Sequence, residues 1–276
     1  MGGLLASLAI AGLLVAPPRA GVHAHRETSH GRSELKSKVS QLERASSPRQ
    51  GGARFHGSVT IGRSANGRPI ALREYGFGAT GKRALVFGCI HGTECAASAI
   101  PRFQFGCPTP GAVFYVPNLN PDGLATGTRL NGRGIDLNRN FSAQWEPNGV
   151  RWDLEYSGPR PFSEPETRIA ARLIRTLHPD VTIWFHQEAE PMVRAWGPSV
   201  PAARRFARYL RPVRYSEVPF RRLQWLPGTA PNWQNHRFPE TASFVVELPP
   251  GALPSSDART IGGAVARLVG YRPRDL

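Results

Sequence analysis

The chain has 276 residues and a formal net charge of +15. This length suits one large hydrophobic core rather than several domains. The charge alone would fit a nucleic-acid-binding protein, but only three of the 35 basic residues are lysine, the arginines are scattered, and no nucleic-acid-binding motif accompanies them. We therefore expect no nucleic-acid partner. A cationic surface suits approach to an anionic cell wall instead.

The beginning of the chain is typical of an exported protein. Residues 1–15 carry no charged side chain and form an apolar run too short to span a bilayer comfortably. Val22-His-Ala24 follows as a small-x-small-like cleavage site, so we predict a signal peptide over residues 1–24. Residues 25–52 are polar and nearly lack large apolar side chains, which predicts a disordered linker, with a short helix over Ser33–Arg44 as the alternative. We expect a folded domain over 53–276, a secreted or cell-envelope location, no membrane span after processing, and a monomer.

Apolar and amphipathic segments alternate through the remaining chain. Short apolar runs bounded by turn residues predict buried strands, and residues 64–67 predict the turn of an early hairpin. Ser163 is expected to cap the second predicted helix, with Pro165 in its first turn. The pattern predicts a single α/β domain whose mixed, mostly parallel sheet has helices on both faces. The predicted strands are 59–61, 70–75, 84–90, 112–117, 181–185 and 243–248, and the predicted helices are 96–105, 163–177, 200–210 and 257–269.

Two separate segments predict a metal site. His91-Gly-Thr-Glu94 directly follows the strand 84–90, and His186 closes the apolar run 181–185. In α/β sheets, ligand sites gather at the carboxyl ends of strands. Two nitrogens and one carboxylate leave a tetrahedral zinc one position short, and a catalytic water binds there. We therefore predict one zinc ion per chain, held by His91, Glu94 and His186, in a site of the hydrolytic kind.

His-x-x-Glu alone is a weak signal, because so short a pattern often arises by chance. Further segments follow in a fixed order, and with them the chain resembles the zinc carboxypeptidase family of metallopeptidases, which includes digestive carboxypeptidases and bacterial murein-peptide amidases. The resemblance covers roughly residues 57–270 and implies that family's fold and a zinc-dependent peptidase activity. The supporting segments are Gly67-Arg-Pro-Ile70, Asn120-Pro-Asp-Gly123, Asp136-Leu-Asn-Arg-Asn140, Pro161-Phe-Ser-Glu-Pro-Glu166 and Phe244-Val-Val-Glu-Leu-Pro249.

The resemblance also implies individual roles. Glu247 would be the general base. Its place in an apolar run fits this role, because burial shifts the pKa of a carboxylate. A buried salt bridge is the alternative interpretation. Arg129 would stabilise the oxyanion, with Arg133 as the competing arginine. Glu188 and Glu190 are interpreted as surface or rim carboxylates.

Three more residues complete the site that the resemblance implies. Asn138 and Arg139 would grip the carboxylate of the released residue, since a planar guanidinium matches a carboxylate bidentately. Asp136 would accept the second ring N–H of a metal-bound histidine and so fix its tautomer.

These predictions combine into a secreted zinc metallocarboxypeptidase that hydrolyses the amide bond beside a terminal carboxylate in a peptide or muropeptide. Cell-wall peptides, particularly the bond from γ-D-glutamate to a diamino acid, are favoured because residues 223–233 lack the tyrosine that digestive family members carry there. The alternative is an N-acyl amino acid deacylase of the aspartoacylase/succinylglutamate desuccinylase type, which shares the His-x-x-Glu and Asp-x-Asn-Arg elements. A third reading, a non-catalytic peptidoglycan-binding module, would normally lack a ligand or the base, and none is missing.

The three cysteines are consistent with an exported protein that holds at most one disulfide. Cys89 lies in the strand before the metal loop and is interpreted as a small core residue. Cys95 and Cys107 are the pair expected to form a disulfide.

Overall fold

The computed structural model describes residues 29–45, 55–76, 81–102, 111–187, 191–210, 220–222 and 226–270. Several predictions fall elsewhere: the signal peptide over 1–24, the rim carboxylates Glu188 and Glu190, and the disulfide partner Cys107 all lie outside the described residues.

The strands of the described chain form one mixed sheet. They are β1 (Phe55–Arg63), β2 (Pro69–Gly76), β3 (Arg83–Phe87), β4 (Ala112–Val116), β5 (Val181–Gln187), β6 (Met192–Ala195), β7 (Phe220–Arg222) and β8 (Ala242–Leu248). Their order across the sheet is β1-β2-β4-β3-β5-β8-β6-β7. The central strands β4, β3, β5 and β8 run parallel, while β1 with β2, β2 with β4, and β6 with β8 are antiparallel. This confirms the predicted α/β fold with a mostly parallel centre.

Helices cover both faces of the sheet, as predicted. They are α1 (Ser29–Ala45), α2 (Pro121–Thr126), α3 (Pro165–Leu177), α4 (Val200–Leu210), α5 (Ala230–Arg237) and α6 (Ser255–Leu268). One buried cluster joins a sheet face to α4 and α6, and the other joins the opposite face to α1, α3 and α5. The central strands are buried on both sides, which explains why they appear in the sequence as continuous apolar runs. Within the described ranges, no helix has the length and apolar character needed to cross a membrane.

The linker prediction is wrong for residues 29–45, which form helix α1. Leu35, Val39 and Leu42 are buried, and their spacing of four and three residues places them on one helix face. That face packs against β1 and α3. The segment is polar in composition, but a single narrow apolar stripe is enough to attach it to the sheet.

Other differences are local. Ser163 does not cap its helix: α3 begins at Pro165 after Glu164, and the Ser163 hydroxyl donates to Glu164 Oε1 at 2.8 Å. The helix predicted over 96–105 is a 3-10 helix over Ala96–Arg102. The sequence analysis missed α2, β6, β7 and α5. Strand β6 has only four residues, and α5 has little amphipathic pattern because six of its eight residues are buried.

Candidate active site

The predicted site residues converge at one edge of the sheet. His91 follows β3, and His186 and Glu247 are the sixth residues of β5 and β8. The three strands are parallel, so their carboxyl ends meet at this edge. His186 and Glu247 are direct partners in the β5–β8 register, which places them side by side on the same face.

His91, Glu94 and His186 fit the ligand set of a tetrahedral zinc ion. Their ligand atoms all lie within 4.8 Å of one another. Glu94 Oε2 is 2.9 Å from His91 Nδ1 and 2.9 Å from His186 Nδ1, and the two Nδ1 atoms are 3.2 Å apart. Ligands at about 2.1 Å from a tetrahedral zinc would be roughly 3.4 Å apart, so little movement is needed to accept the ion.

The loop that carries His91 and Glu94 is pressed against the rest of the site. A Cβ atom on Gly92 would lie 2.0 Å from the backbone carbon of Gly123 and 2.4 Å from the backbone oxygen of Thr128. Only glycine allows this approach, because backbone atoms on both sides have nowhere to move. The close contact joins the His91-Gly-Thr-Glu94 segment to the segment that leads to Arg129.

A disulfide closes the metal loop, and it is not the predicted one. Cys95 is bonded to Cys89, six residues earlier, rather than to Cys107. The sequence predicts that Cys89 is a small core residue of the strand before the metal loop, and Cys89 is indeed fully buried. The chain turns back after β3, which brings Cys95 beside it with a Cα–Cα distance of 4.6 Å. Both candidate ligands of this segment, His91 and Glu94, therefore lie within the ring that the disulfide closes.

Asp136 and Arg129 surround the metal loop with charge. Asp136 is fully buried, and its Oδ1 lies 3.0 Å from His91 Nε2, the ring nitrogen opposite the one facing Glu94. Its Oδ2 accepts from Arg129 Nη2 at 3.0 Å, and Arg129 Nη1 donates to Glu94 Oε1 at 2.7 Å. This is the arrangement that fixes a ligating imidazole's ring orientation and tautomer.

These contacts shift the pKa values of the acidic groups. Burial alone would raise the pKa of Glu94, but its hydrogen bonds with His186 and His91 outweigh burial and hold that pKa far below the usual range. Burial would also raise the pKa of Asp136, and the facing His91 and Arg129 lower it well below normal. Both groups are therefore ionised at neutral pH, the state that a metal ligand and its supporting carboxylate require.

Asn138 and Arg139 line the same cleft from a short 3-10 helix, Leu137–Arg139. The Asn138 amide oxygen accepts from the backbone N–H of Ala230 at 3.0 Å, which fixes the side chain against the start of α5. Arg139 donates through Nη2 to Oε1 of Glu155 at 2.5 Å, on an exposed loop. The guanidinium thus already holds a carboxylate supplied by the chain itself.

The structure separates the two competing arginines. Arg129 lines the cleft, whereas Arg133 is half exposed and its Nη1 lies 3.7 Å from Glu164 Oε2. Glu164 and Glu166 are buried beside Asn131, whose amide N–H groups donate to both carboxylates. Burial, with the nearby charge of Glu164, raises the pKa of Glu166 to about 7. This cluster supports the loops and takes no part in lining the cleft.

The cleft also contains residues that the sequence reading missed. Arg194 on β6, Trp196, and the Leu226 and Thr229 side chains before α5 line it together with Glu247. Arg194 Nη1 lies 3.7 Å from Glu247 Oε1. The only sequence signal for Arg194 was its place two residues before a tryptophan in a short apolar strand, which is too weak to identify a site residue.

Comparisons with known proteins agree with this geometry. Residues 112–245 match the Peptidase_M14 family model, described as zinc carboxypeptidase. The chain is 31% identical over 150 residues to murein peptide amidase A of Escherichia coli (strain K12), an alignment that covers 47% of this chain and 59% of the relative. The chain therefore spans less than two thirds of that relative's length.

Solved structures give the same picture of the fold. Murein-tripeptide amidase MpaA from Escherichia coli O157 superposes with a TM-score of 0.60 and 23% identity, over 82% of this chain and all of that chain. A succinylglutamate desuccinylase from Silicibacter sp. TM1040 superposes with a TM-score of 0.54 and 18% identity, over 79% of this chain and 66% of that one. At these identities the likeness concerns the fold alone. Residues 112–245 therefore carry a region that matches the zinc carboxypeptidase domain, and the fold brings the ordered site segments of the chain together at one edge of the sheet.

Proposed function

We propose that this chain is an exported zinc metallocarboxypeptidase that hydrolyses the amide bond beside a free terminal carboxylate. The observation that carries the proposal is the mutual approach of His91 Nδ1, His186 Nδ1 and Glu94 Oε2, at 2.9 to 3.2 Å, next to the buried carboxylate of Glu247. Two histidines and one carboxylate are a ligand set of catalytic zinc sites. The apolar start over residues 1–15 supports export.

Zinc bound by these residues supplies a Lewis acid that activates water and polarises the scissile carbonyl. Glu247 accepts the proton of the attacking water and delivers it to the leaving amine. Its place beside His186 in the register of β5 and β8 supports this role. Asp136 holds the His91 ring through Nε2, so the ligand does not rotate during turnover.

Arg129 and Arg139 each bind a different anionic group of the substrate. Arg129 is anchored by Glu94 and Asp136 and stabilises the charge that develops on the carbonyl oxygen. Arg139, with Asn138, binds the terminal carboxylate of the residue to be released. The contact between Arg139 and Glu155 supports this assignment, because it demonstrates that a carboxylate fits against the guanidinium.

The substrate we favour is a cell-wall peptide cut between γ-D-glutamate and a diamino acid. The net charge of +15 would attract the chain to an anionic cell wall, and the partial similarity to murein peptide amidase A also supports a cell-wall substrate. The segment over 223–233 contains no tyrosine.

The test compares matched substrates with free and amidated C-termini. Amidation should lower kcat/KM by roughly a hundredfold or more, because it removes a charge-assisted contact. Arg139→Ala should remove most of that preference, while Arg151→Ala, an exposed arginine of a nearby loop, should keep it. Equal cleavage of free and amidated ends by the wild type would refute the exopeptidase assignment. Turnover of N-succinylglutamate without peptide cleavage would instead identify a deacylase.

Export is tested separately, by determining the N-terminus of the mature protein. Mass spectrometry of the secreted or envelope fraction should find a mature N-terminus near His25. Abundant cytoplasmic protein with an intact Met1 would contradict export.

A further inference from the structure

One loop beside the cleft exposes large apolar side chains to solvent. Among the described residues, such side chains are exposed at five positions, and three of these positions lie within residues 150–154. Val150 is 68% exposed, Trp152 56% and Leu154 69%. Single exposed apolar residues are ordinary on a protein surface, but a cluster of large ones is typical of a binding surface. We call residues 149–154 the apolar tip.

Hydrogen bonds close the loop at the base of the apolar tip. The Asn148 N–H donates to Ser157 Oγ at 2.9 Å, and the Ser157 N–H donates to the Asn148 carbonyl at 3.1 Å. Within the tip, the Val150 N–H donates to Asp153 Oδ2 at 2.8 Å, and the Asp153 N–H donates back to the Val150 carbonyl at 2.9 Å. These bonds fix the shape of the tip and leave its apolar side chains uncovered.

Trp152 is held in a backbone conformation that bulky residues rarely adopt. Its φ is +79°, in the left-handed region, where a residue with a large side chain is strained. Two contacts with Gly134 maintain it: the Trp152 N–H donates to the Gly134 carbonyl at 3.1 Å, and a Cβ on Gly134 would lie 2.5 Å from the indole ring. The guanidinium carbon of Arg151 lies 5.7 Å from the centre of the ring. Strain that the surroundings maintain in this way is typical of binding sites.

The charges near the apolar tip favour an anionic partner. Arg151 is exposed, and its Nε donates to the Arg133 carbonyl at 2.9 Å, so it lies beside a second arginine that is half exposed. Of the acidic groups on the loop, Asp153 accepts the backbone N–H described above, Glu155 pairs with an arginine of the cleft, and Glu146 precedes the closed base. The chain as a whole carries a net charge of +15. Its field attracts anionic surfaces.

The side chains of the tip fit a lipid surface better than a protein or a glycan. A stable protein interface buries about 800 Å² on each partner, which is more than three side chains provide. A sugar ring would stack on the indole and leave Val150 and Leu154 in water. A lipid surface accepts protruding side chains one by one, tryptophan is enriched at the membrane–water interface, and arginines contact anionic headgroups.

We propose that the apolar tip docks the chain on an anionic lipid surface. Its three apolar side chains enter the interfacial layer, and the two arginines beside them contact lipid phosphates. The docking is peripheral and reversible, because three side chains bury little apolar area. The same loop carries Glu155, which contacts Arg139, so the cleft of a docked chain lies close to the surface. The proposal goes beyond the proposed function and does not depend on it.

Co-sedimentation with lipid vesicles tests the docking on the full, zinc-loaded chain. One set of vesicles contains phosphatidylglycerol and phosphatidylcholine in equal parts, and the other contains phosphatidylcholine alone. Wild type should bind the anionic set more tightly, and about 0.5 M salt should weaken this binding because it screens the arginines. The apolar start of the chain is the same in every variant, so the ratio between two variants reports on the loop.

Trp152→Ala and Leu154→Ala should each lower the partition coefficient on anionic vesicles about 5- to 20-fold, the effect of removing one large apolar side chain from the interfacial layer. Leu154→Ala keeps the test valid if Trp152→Ala disturbs the fold, because Leu154 is exposed and has no special backbone conformation. Leu124→Ala is the matched control. It removes another exposed leucine, on α2, and should leave the partition coefficient unchanged.

Three outcomes would overturn the proposal. The first is that wild type does not bind the anionic vesicles. The second is binding that both loop variants leave unchanged, because the scattered arginines and the apolar start of the chain would then account for it. The third is retention on purified cell-wall sacculi, and not on vesicles, that Trp152→Ala abolishes, because the tip would then bind glycan.

Discussion

Glu155 Oε1 lies 2.5 Å from Arg139 Nη2, so a carboxylate of the chain holds the guanidinium that we assign to the substrate's terminal carboxylate. The side chain of Glu155 is 57% exposed, whereas that of Arg139 is 21% exposed. A substrate must therefore displace Glu155, and an exposed ion pair of this kind is weak enough to be displaced.

Glu155→Gln should strengthen substrate binding. Removing the competing charge should lower KM about two- to fivefold, because exposed ion pairs contribute up to about 1 kcal/mol, while kcat should change little. Steady-state kinetics on a free-ended substrate measures both. Glu146→Gln, at an exposed glutamate of the same loop, is the control and should leave KM unchanged. A raised KM in Glu155→Gln would show that Glu155 supports Arg139 rather than competing with substrate.

The purified chain should contain about one zinc ion, and His186→Ala should lose it. The variant removes one of the three candidate ligands, and Glu94 and His91 alone should bind the ion too weakly to retain it. Elemental analysis after dialysis gives the metal content. His178→Asn is the matched control, since His178 is exposed at the end of α3. Stoichiometric zinc in a folded His186→Ala protein would disprove the ligand assignment.

Glu247→Gln should separate chemistry from metal binding. The substitution is nearly isosteric, so folding and zinc content should remain, while turnover should fall by several orders of magnitude because the base is gone. The measurement pairs elemental analysis with single-substrate kinetics. Glu240→Gln, at an exposed glutamate just before β8, should retain full turnover. Near-normal turnover of the zinc-containing Glu247→Gln protein would mean that another residue is the general base.

Opening the Cys89–Cys95 disulfide should weaken zinc binding. The disulfide closes the loop that carries His91 and Glu94, so its loss should loosen two ligands together. We expect the zinc dissociation constant to rise about tenfold in the Cys89→Ala/Cys95→Ala protein, the size of effect seen when groups that orient ligands are removed. Competition with a chromogenic chelator measures it, and Cys107→Ala controls for removal of a thiol. Unchanged affinity in the double variant would mean that the surrounding packing alone holds the loop.

The buried Glu166 should make folding stability depend on pH. Its pKa is raised from 4.5 to about 7 in the folded chain, so the folded state binds this proton more tightly than the unfolded state. Stability should therefore fall as pH rises from about 4.5 to 7, by on the order of 1 to 3 kcal/mol. Glu166→Gln should flatten this part of the profile.

Urea unfolding of the zinc-free proteins at pH 5 and pH 8 measures the effect as a difference between wild type and variant. Other groups that titrate in this range contribute equally to both proteins and cancel. An identical pH dependence in the two proteins would show that Glu166 is ionised throughout.

The sequence by itself determined the α/β fold, because its central strands are continuous apolar runs and its helices alternate with them. It also supplied the candidate ligands, since His91, Glu94 and His186 each lie where an apolar strand ends. The order of the motif segments along the chain made the family resemblance specific. These signals are local, and they are readable because burial on both faces leaves a strand little choice of composition.

Tertiary structure alone decided which partner a side chain takes where the local sequence pattern leaves the choice open. Helix α1 attaches through three apolar side chains in a polar segment, Cys95 meets Cys89 because the loop turns back, and Ser163 turns to Glu164 instead of capping α3. Arg194 lines the cleft because β6 pairs with β8, and Glu155 reaches Arg139 from an exposed loop. The local sequence does not identify Arg194 or Glu155 as site residues, because a single arginine or glutamate has the same sequence pattern whether it faces solvent or a cleft.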